Sequence, residues 1–142
     1  MPFILLSYIL FLFVTKYRRP VLTREMLDYL RVAFSEILEH WRCRLIEFGG
    51  EENHVHLLIE IHPALNISVL INNLKTASAR RIRPRFEEQI RKFYWKPAFW
   101  HRAYFVGSVG NVSLDTIRKY VEQQGTKEKP RKSKPRLDPP PG

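Results

Sequence analysis

In the stretch ENHVHLLIE, residues 52–60, two histidines stand one residue apart in an otherwise apolar run. Alternate residues of a β-strand point to one face, so His54 and His56 stand side by side while Val55 and Leu57 look the other way. Two imidazoles so placed are either a grip for a metal ion or histidines hydrogen-bonded at a sheet edge, and the spacing alone does not choose. A metal site needs a further ligand, and a reaction needs an attacking group, from elsewhere in the chain. In RKYVEQQ, Tyr120 and Gln124 are four residues apart. On a helix that sets them one above the other, with about 5–6 Å between their β-carbons. The competing reading is an aromatic at the core margin and a surface amide near a helix end.

The elements that position these residues follow from the apolar pattern. MPFILLSYILFLFVTKYRRP opens the chain and imitates an export signal. It lacks a leading positive charge and a small-residue cleavage site, and an apolar run of about 14 residues does not span a bilayer. It reads as a buried strand that Lys16, Arg18 and Arg19 end in solvent. Thr23 then offers a cap, and Met26, Leu27, Leu30, Ala33, Phe34, Ile37, Leu38 and Trp41 recur at helical spacing, which predicts a helix over 23–40. CRLIEFGG predicts a short strand closed by Gly49 and Gly50, with GGEEN as the connection to a strand over HVHLLIEIH that Pro63 stops. Ile67, Leu70, Ile71, Leu74, Ala77 and Ser78 line a second helix that Pro84 limits, with Arg80 and Arg83 on its far side and Lys75 on its flank. AFW and AYFVGSVG supply the last strand material, and Ser113 can cap a third helix through about Gln124 whose stripe is Leu114, Ile117 and Val121. The order β-α-β-β-α-β-α predicts an α+β fold: a ferredoxin-like antiparallel sheet with helices packed on one face, plus a C-terminal helix carrying Tyr120.

Composition narrows the class. A chain of 142 residues, 44% hydrophobic and 13% aromatic, is long enough for one packed domain, assigned here to residues 1–125. Residues 126–142, TKEKPRKSKPRLDPPPG, have nothing to bury and predict a disordered basic, Pro-rich tail. The formal net charge of +10 favours a polyanionic partner; the tail supplies six Lys or Arg against two acids, so the domain itself stays basic. Cys43 is the sole cysteine, which excludes an internal disulfide and a thiolate zinc site and fits a reducing cytoplasm. Any metal chemistry must use histidine and oxygen ligands.

Five stretches in register, VTKYRRPVL, NHVHLLIEI, LKTASAR, YFVGSVG and RKYVEQQ, resemble the single-tyrosine HUH transposases of the IS200/IS605 insertion sequences over roughly residues 9–125. The resemblance implies that His54 and His56 are the histidine pair of a divalent-metal site, Mg²⁺ or Mn²⁺, that Gln124 is its third protein ligand, and that Tyr120 is the nucleophile. It implies a single-stranded DNA hairpin as partner, a homodimer whose sheets join edge to edge, and no membrane or small-molecule substrate. Candidate DNA contacts are Lys16, Arg18, Arg19, Lys75, Arg80 and Arg83, with Tyr17 and Tyr104 as stacking platforms. Gly107 and Gly110 are either hinges for exchange of the tyrosine helix or turn glycines.

Three positions depart from the family pattern. Asn53 stands where an acidic residue often precedes the first histidine, which implies looser outer support for the metal. Ile9 and Leu10 replace polar residues near the strand start, and Asn111 replaces a common glycine. The rival readings are a catalytically inactive or domesticated relative and a non-catalytic ferredoxin-like nucleic-acid-binding module; the latter has no use for the histidines, Tyr120 and Gln124 together.

Overall fold

The computed structural model describes residues 7–108 of the chain. Four strands, β1 (Ser7–Thr15), β2 (Arg44–Glu51), β3 (His54–Ile61) and β4 (Trp100–Ser108), form one sheet in the order β2-β3-β1-β4. Each neighbouring pair is antiparallel. Three helices, α1 (Arg24–His40), α2 (Ile67–Arg85) and α3 (Glu87–Arg91), complete the described part. This is the ferredoxin-like arrangement that the element order predicts. The helix expected over 113–124, the tail 126–142 and the first six residues lie outside the described residues.

β1 lies between β3 and β4, which explains the run that imitates an export signal: a central strand buried on both faces is apolar at every position. Ile9, Phe11 and Phe13 join the core beneath the helices, together with Val55, Leu57, Ile59 and Ile61 of β3. Leu10 and Leu58 alternate with them, belong to the opposite face, and are buried too. From the helices, Met26, Leu30, Phe34, Ile37 and Leu38 of α1 and Leu70, Ile71, Leu74 and Ile82 of α2 fill the core. Phe34 is its hub, with its ring 6.0 Å from Phe13, 5.9 Å from Phe48 and 6.4 Å from Trp100.

The caps are local. Thr23 Oγ1 accepts the Met26 N–H at 3.2 Å and Asn66 Oδ1 accepts the Val69 N–H at 3.2 Å, so α1 and α2 each begin at a side chain that satisfies a free backbone donor. Pro84 sits inside the last turn of α2 and the helix ends one residue after it. The Phe86 N–H still reaches Ile82 O at 3.0 Å, and α3 follows directly. α3 has five residues, too few for its periodicity to be read in the sequence.

Two further departures concern glycines. Gly49 and Gly50 do not close β2; they are paired with His56 and Val55, and the turn is confined to Glu52 and Asn53. Gly107 lies within β4, opposite Leu10, so it is not a turn glycine. Gly110 falls outside the described residues.

Candidate functional site

β3 alternates as expected. Val55 and Leu57 enter the core under the helices, and His54 and His56 point to the other face of the sheet. His54 stands between Val14 and Glu51 of the neighbouring strands, and His56 between Leu12 and Gly49. His54 is buried and His56 half-buried.

The glycine opposite His56 sets its position. A β-carbon on Gly49 would lie 2.6 Å from His56 Nε2 and 2.7 Å from Cε1, so the ring leans into space that any side chain would take. At Gly50 a β-carbon would meet the His54 carbonyl oxygen at 2.6 Å. Both glycines are therefore inside the strand because of how closely β3 approaches them.

His54 is oriented by its predecessor. Asn53 Oδ1 lies 2.9 Å from His54 Nδ1. An amide oxygen only accepts, so Nδ1 donates in this contact, and the neutral ring then keeps its lone pair on Nε2, the form in which imidazole binds a cation. Asn53 is itself held, its carbonyl accepting the Thr15 N–H at 3.0 Å with Thr15 Oγ1 at 3.2 Å. Asn53 thus holds the His54 ring although it departs from the family pattern. Its neutral oxygen makes the same hydrogen bond as a carboxylate, without the charge.

Burial, reinforced by the neighbouring His54, lowers the His56 pKa to about 4, against a smaller upward pull from Glu47 and Glu51. At neutral pH His56 is therefore uncharged and able to donate a lone pair. Among the described residues no group of three His, Cys, Asp or Glu side chains could hold a metal ion. Tyr120 and Gln124 lie outside the described residues. At the far end of this face Glu60 receives Arg44 at 3.1 and 3.3 Å and the Tyr8 hydroxyl at 3.2 Å.

The basic candidates divide into two groups. Lys16, Arg18 and Arg19 lie on a tight 3-10 turn at the end of β1, where Tyr17 and Arg18 adopt left-handed backbone at φ 57° and 55°. The Tyr17 ring has Lys16 Nζ 5.5 Å and Arg19 Cζ 5.9 Å from its centroid. This turn is tied to the histidines through Thr15 and Asn53. Arg80 and Arg83 instead lie on α2, in the layer across the sheet from the histidines.

Lys75 does not face outward as its place on the helix flank suggested. Its ammonium donates to the carbonyls of His101 and, at 2.9 Å, Arg102, and it lies 5.4 Å from the centroid of the Tyr104 ring. Its long aliphatic stem lets it reach over the sheet end and clasp the start of β4. Burial, with Lys16 nearby, lowers its pKa. Tyr104 is exposed and shares the side of the sheet on which Phe13 lies.

Sequence reasoning passed over the loop between α3 and β4. Trp95 is exposed there, Lys96 Nζ lies 4.9 Å from its ring centroid, and buried Tyr94 donates its hydroxyl to the Lys16 carbonyl. The signal was present in KFYWKP, but aromatics in such a run read equally well as core.

Comparison with known proteins gives a consistent result. The ISDra2 transposase TnpA of Deinococcus radiodurans is 32% identical over 113 residues, 80% of each chain. The transposase of insertion sequence element IS200 from Salmonella typhimurium is 27% identical over 117 residues, 82% of this chain and 76% of that one. The crystal structure of a transposase candidate from Deinococcus radiodurans R1 superposes with a TM-score of 0.70 at 27% identity, covering 87% of this chain and 95% of the other. A REP-associated tyrosine transposase bound to a REP hairpin shares the fold, with a TM-score of 0.57 at 12% identity over 93% and 73% of the two chains. The pattern of the family described as "Transposase IS200 like" spans residues 4–124, which takes in the histidine strand and both residues of the RKYVEQQ pair, and the chain belongs to that family.

Proposed function

We propose that the chain cuts and rejoins single-stranded DNA at hairpin-bearing insertion-sequence ends, with Tyr120 as nucleophile and His54, His56 and Gln124 as metal ligands. The observation that carries this reading is the preparation of the histidine pair: His54 is fixed through Nδ1 by Asn53, and burial keeps His56 neutral. Two imidazoles on one sheet face suit a divalent cation, and Mn²⁺ accepts nitrogen ligands more readily than Mg²⁺. When bound, such a cation would polarise the scissile phosphate and offset the charge of in-line displacement.

The chain's own residues do the rest. The Tyr120 oxygen attacks the phosphorus and a new P–O bond forms as the bond to the 3′ oxygen breaks. The electron pair leaves with that oxygen, which is protonated to a 3′-hydroxyl, and the phenolic proton passes to water. The product is a 5′-phosphotyrosine, and attack by a 3′-hydroxyl reverses the step and joins strands without an external energy source. Phenolate leaves far more readily than a serine alkoxide because its conjugate acid has a pKa of about 10.

Placement of Tyr120 near the histidines is supported by matching surfaces. Leu10 and Leu58 make an apolar strip on the histidine face, and the predicted 113–124 helix carries Leu114, Ile117 and Val121 at helical spacing. A homodimer is supported by β4, an edge strand with Tyr104, Phe105 and Val106 exposed. A hairpin substrate is supported by the basic 3-10 turn beside the histidines and by the fold shared with a REP-hairpin-bound transposase.

The test is metal dependence. Single-stranded oligonucleotides tiling the DNA that flanks the gene should be cleaved with Mg²⁺ or Mn²⁺ and not in EDTA, and His56→Ala should lose cleavage together with Mn²⁺ affinity. Undiminished cleavage in EDTA would remove the metal from the reading. Specific binding of a hairpin without cleavage would replace transposition with a binding module.

A further inference from the structure

Trp95 is 63% exposed, beyond any other large apolar side chain among the described residues. A single exposed indole is ordinary by itself, so its surroundings decide what it means. Its surroundings are not those of an apolar protein contact. Residues 91–102, RKFYWKPAFWHR, carry four Lys or Arg and no acid, and the Lys96 ammonium stands over one face of the indole, 4.9 Å from its centroid.

The loop on either side of the ring is anchored. The neighbouring Tyr94 is buried and donates its hydroxyl to the Lys16 carbonyl, while the Lys16 N–H donates to Phe99 O at 2.8 Å. Both ends of the loop are thus fastened to the turn that carries Lys16, Tyr17 and Arg18. That turn adjoins Thr15, which holds Asn53 and through it His54. Two cation-flanked rings, Tyr17 and Trp95, therefore belong to the strand end that bears the histidine pair.

We infer that Trp95, capped by Lys96, is a stacking site for an unpaired nucleobase of single-stranded DNA running to the histidine face. This rests on the reading of the substrate as single-stranded DNA. An exposed aromatic face on an anchored, basic loop is what a single strand needs: the ring takes any base by its π-face and the cations take the phosphates. Recognition at this site is accordingly tolerant of base identity. It adds affinity for strand rather than choice of sequence.

The test uses the full chain in EDTA, so that binding is read without cleavage, and two probes: a twenty-nucleotide poly-dT and a blunt-ended DNA hairpin. Trp95→Ala should weaken poly-dT binding by roughly 5- to 150-fold, the range for loss of one base–aromatic stack. Trp95→Phe should recover most of that, binding of the blunt hairpin should hold, and quenching of tryptophan emission by poly-dT should shrink in both variants. Unchanged poly-dT binding in Trp95→Ala, or equal loss for both probes, overturns the proposal. So does a loss that appears only with vesicles of anionic lipid, which would make the loop a membrane contact. The transposition reading fails separately, by lack of cleavage, and leaves this result standing.

Discussion

Each histidine is prepared by a residue that does no chemistry itself. Gly49 makes room for the His56 ring, and Asn53 fixes the proton of His54. Gly49→Ala places a methyl group where His56 Nε2 now lies; the ring, as the end of a side chain, swings away before the backbone does. Mn²⁺ affinity measured by calorimetry should fall roughly 10- to 100-fold, the range seen when a group orienting a ligand is lost, while stability stays within about 1 kcal/mol. An unchanged affinity would remove Gly49 from the site. The lowered His56 pKa gives a second prediction, with its sign fixed by linkage. The folded state leaves His56 unprotonated down to about pH 4, whereas the unfolded chain protonates it below about 6.5. Stability of the metal-free protein should be level above about 6.5 and decline as pH falls toward 4, by at most about 3 kcal/mol from this group. His56→Gln should flatten that part of a denaturation-against-pH curve. The pair was legible in the sequence because a period of two is unambiguous. Its supports were not, because a glycine that makes room for a ring and one that ends a strand look alike, and an asparagine's hydrogen bond is not visible in its letter.

The elements were legible where each had a long periodic run. α1 follows its apolar positions from Thr23 onward, and β1 is a central strand because every position from Ile9 to Phe13 is apolar and buried. Reading failed where a choice depends on a distant partner. Lys75 lies on a helix flank that suggests water, yet it clasps the carbonyls at the start of β4. Ser78 is a further case, a small polar residue on the buried side of α2. It accepts the buried Trp100 Nε1–H at 2.9 Å and so joins α2 to β4 at the strand's first residue. Ser78→Ala strands that indole donor and should cost about 1–3 kcal/mol in urea unfolding. Phe34→Ala, which empties the space among Phe13, Phe48 and Trp100, should cost about 3–5 kcal/mol. The reverse order of these two costs would mean that the polar link, not the aromatic cluster, holds the helices to the sheet.

At the scale of the molecule, the described helices α1 and α2 pack on one face of the sheet and the histidines lie on the other. The fold therefore separates the helical layer, which fills the main core, from the face that carries the histidines. Basic side chains occur on both sides: Lys16, Arg18 and Arg19 at the strand end tied to the histidines, Arg80 and Arg83 on the helical layer. Among the described residues no helix is long and apolar enough to cross a membrane, and the described part of the apolar opening run, from Ser7, lies in the sheet. Membership of the IS200-like family was legible because five motifs occur in register, and the match spanning residues 4–124 bears that out. The central claim is that Tyr120 attacks DNA beside the histidine pair. A 3′-end-labelled single strand from the element's own ends, incubated with the full chain and Mn²⁺, should leave its label on the protein through a denaturing gel, and Tyr120→Phe should leave none. A labelled adduct that persists in Tyr120→Phe would contradict the account.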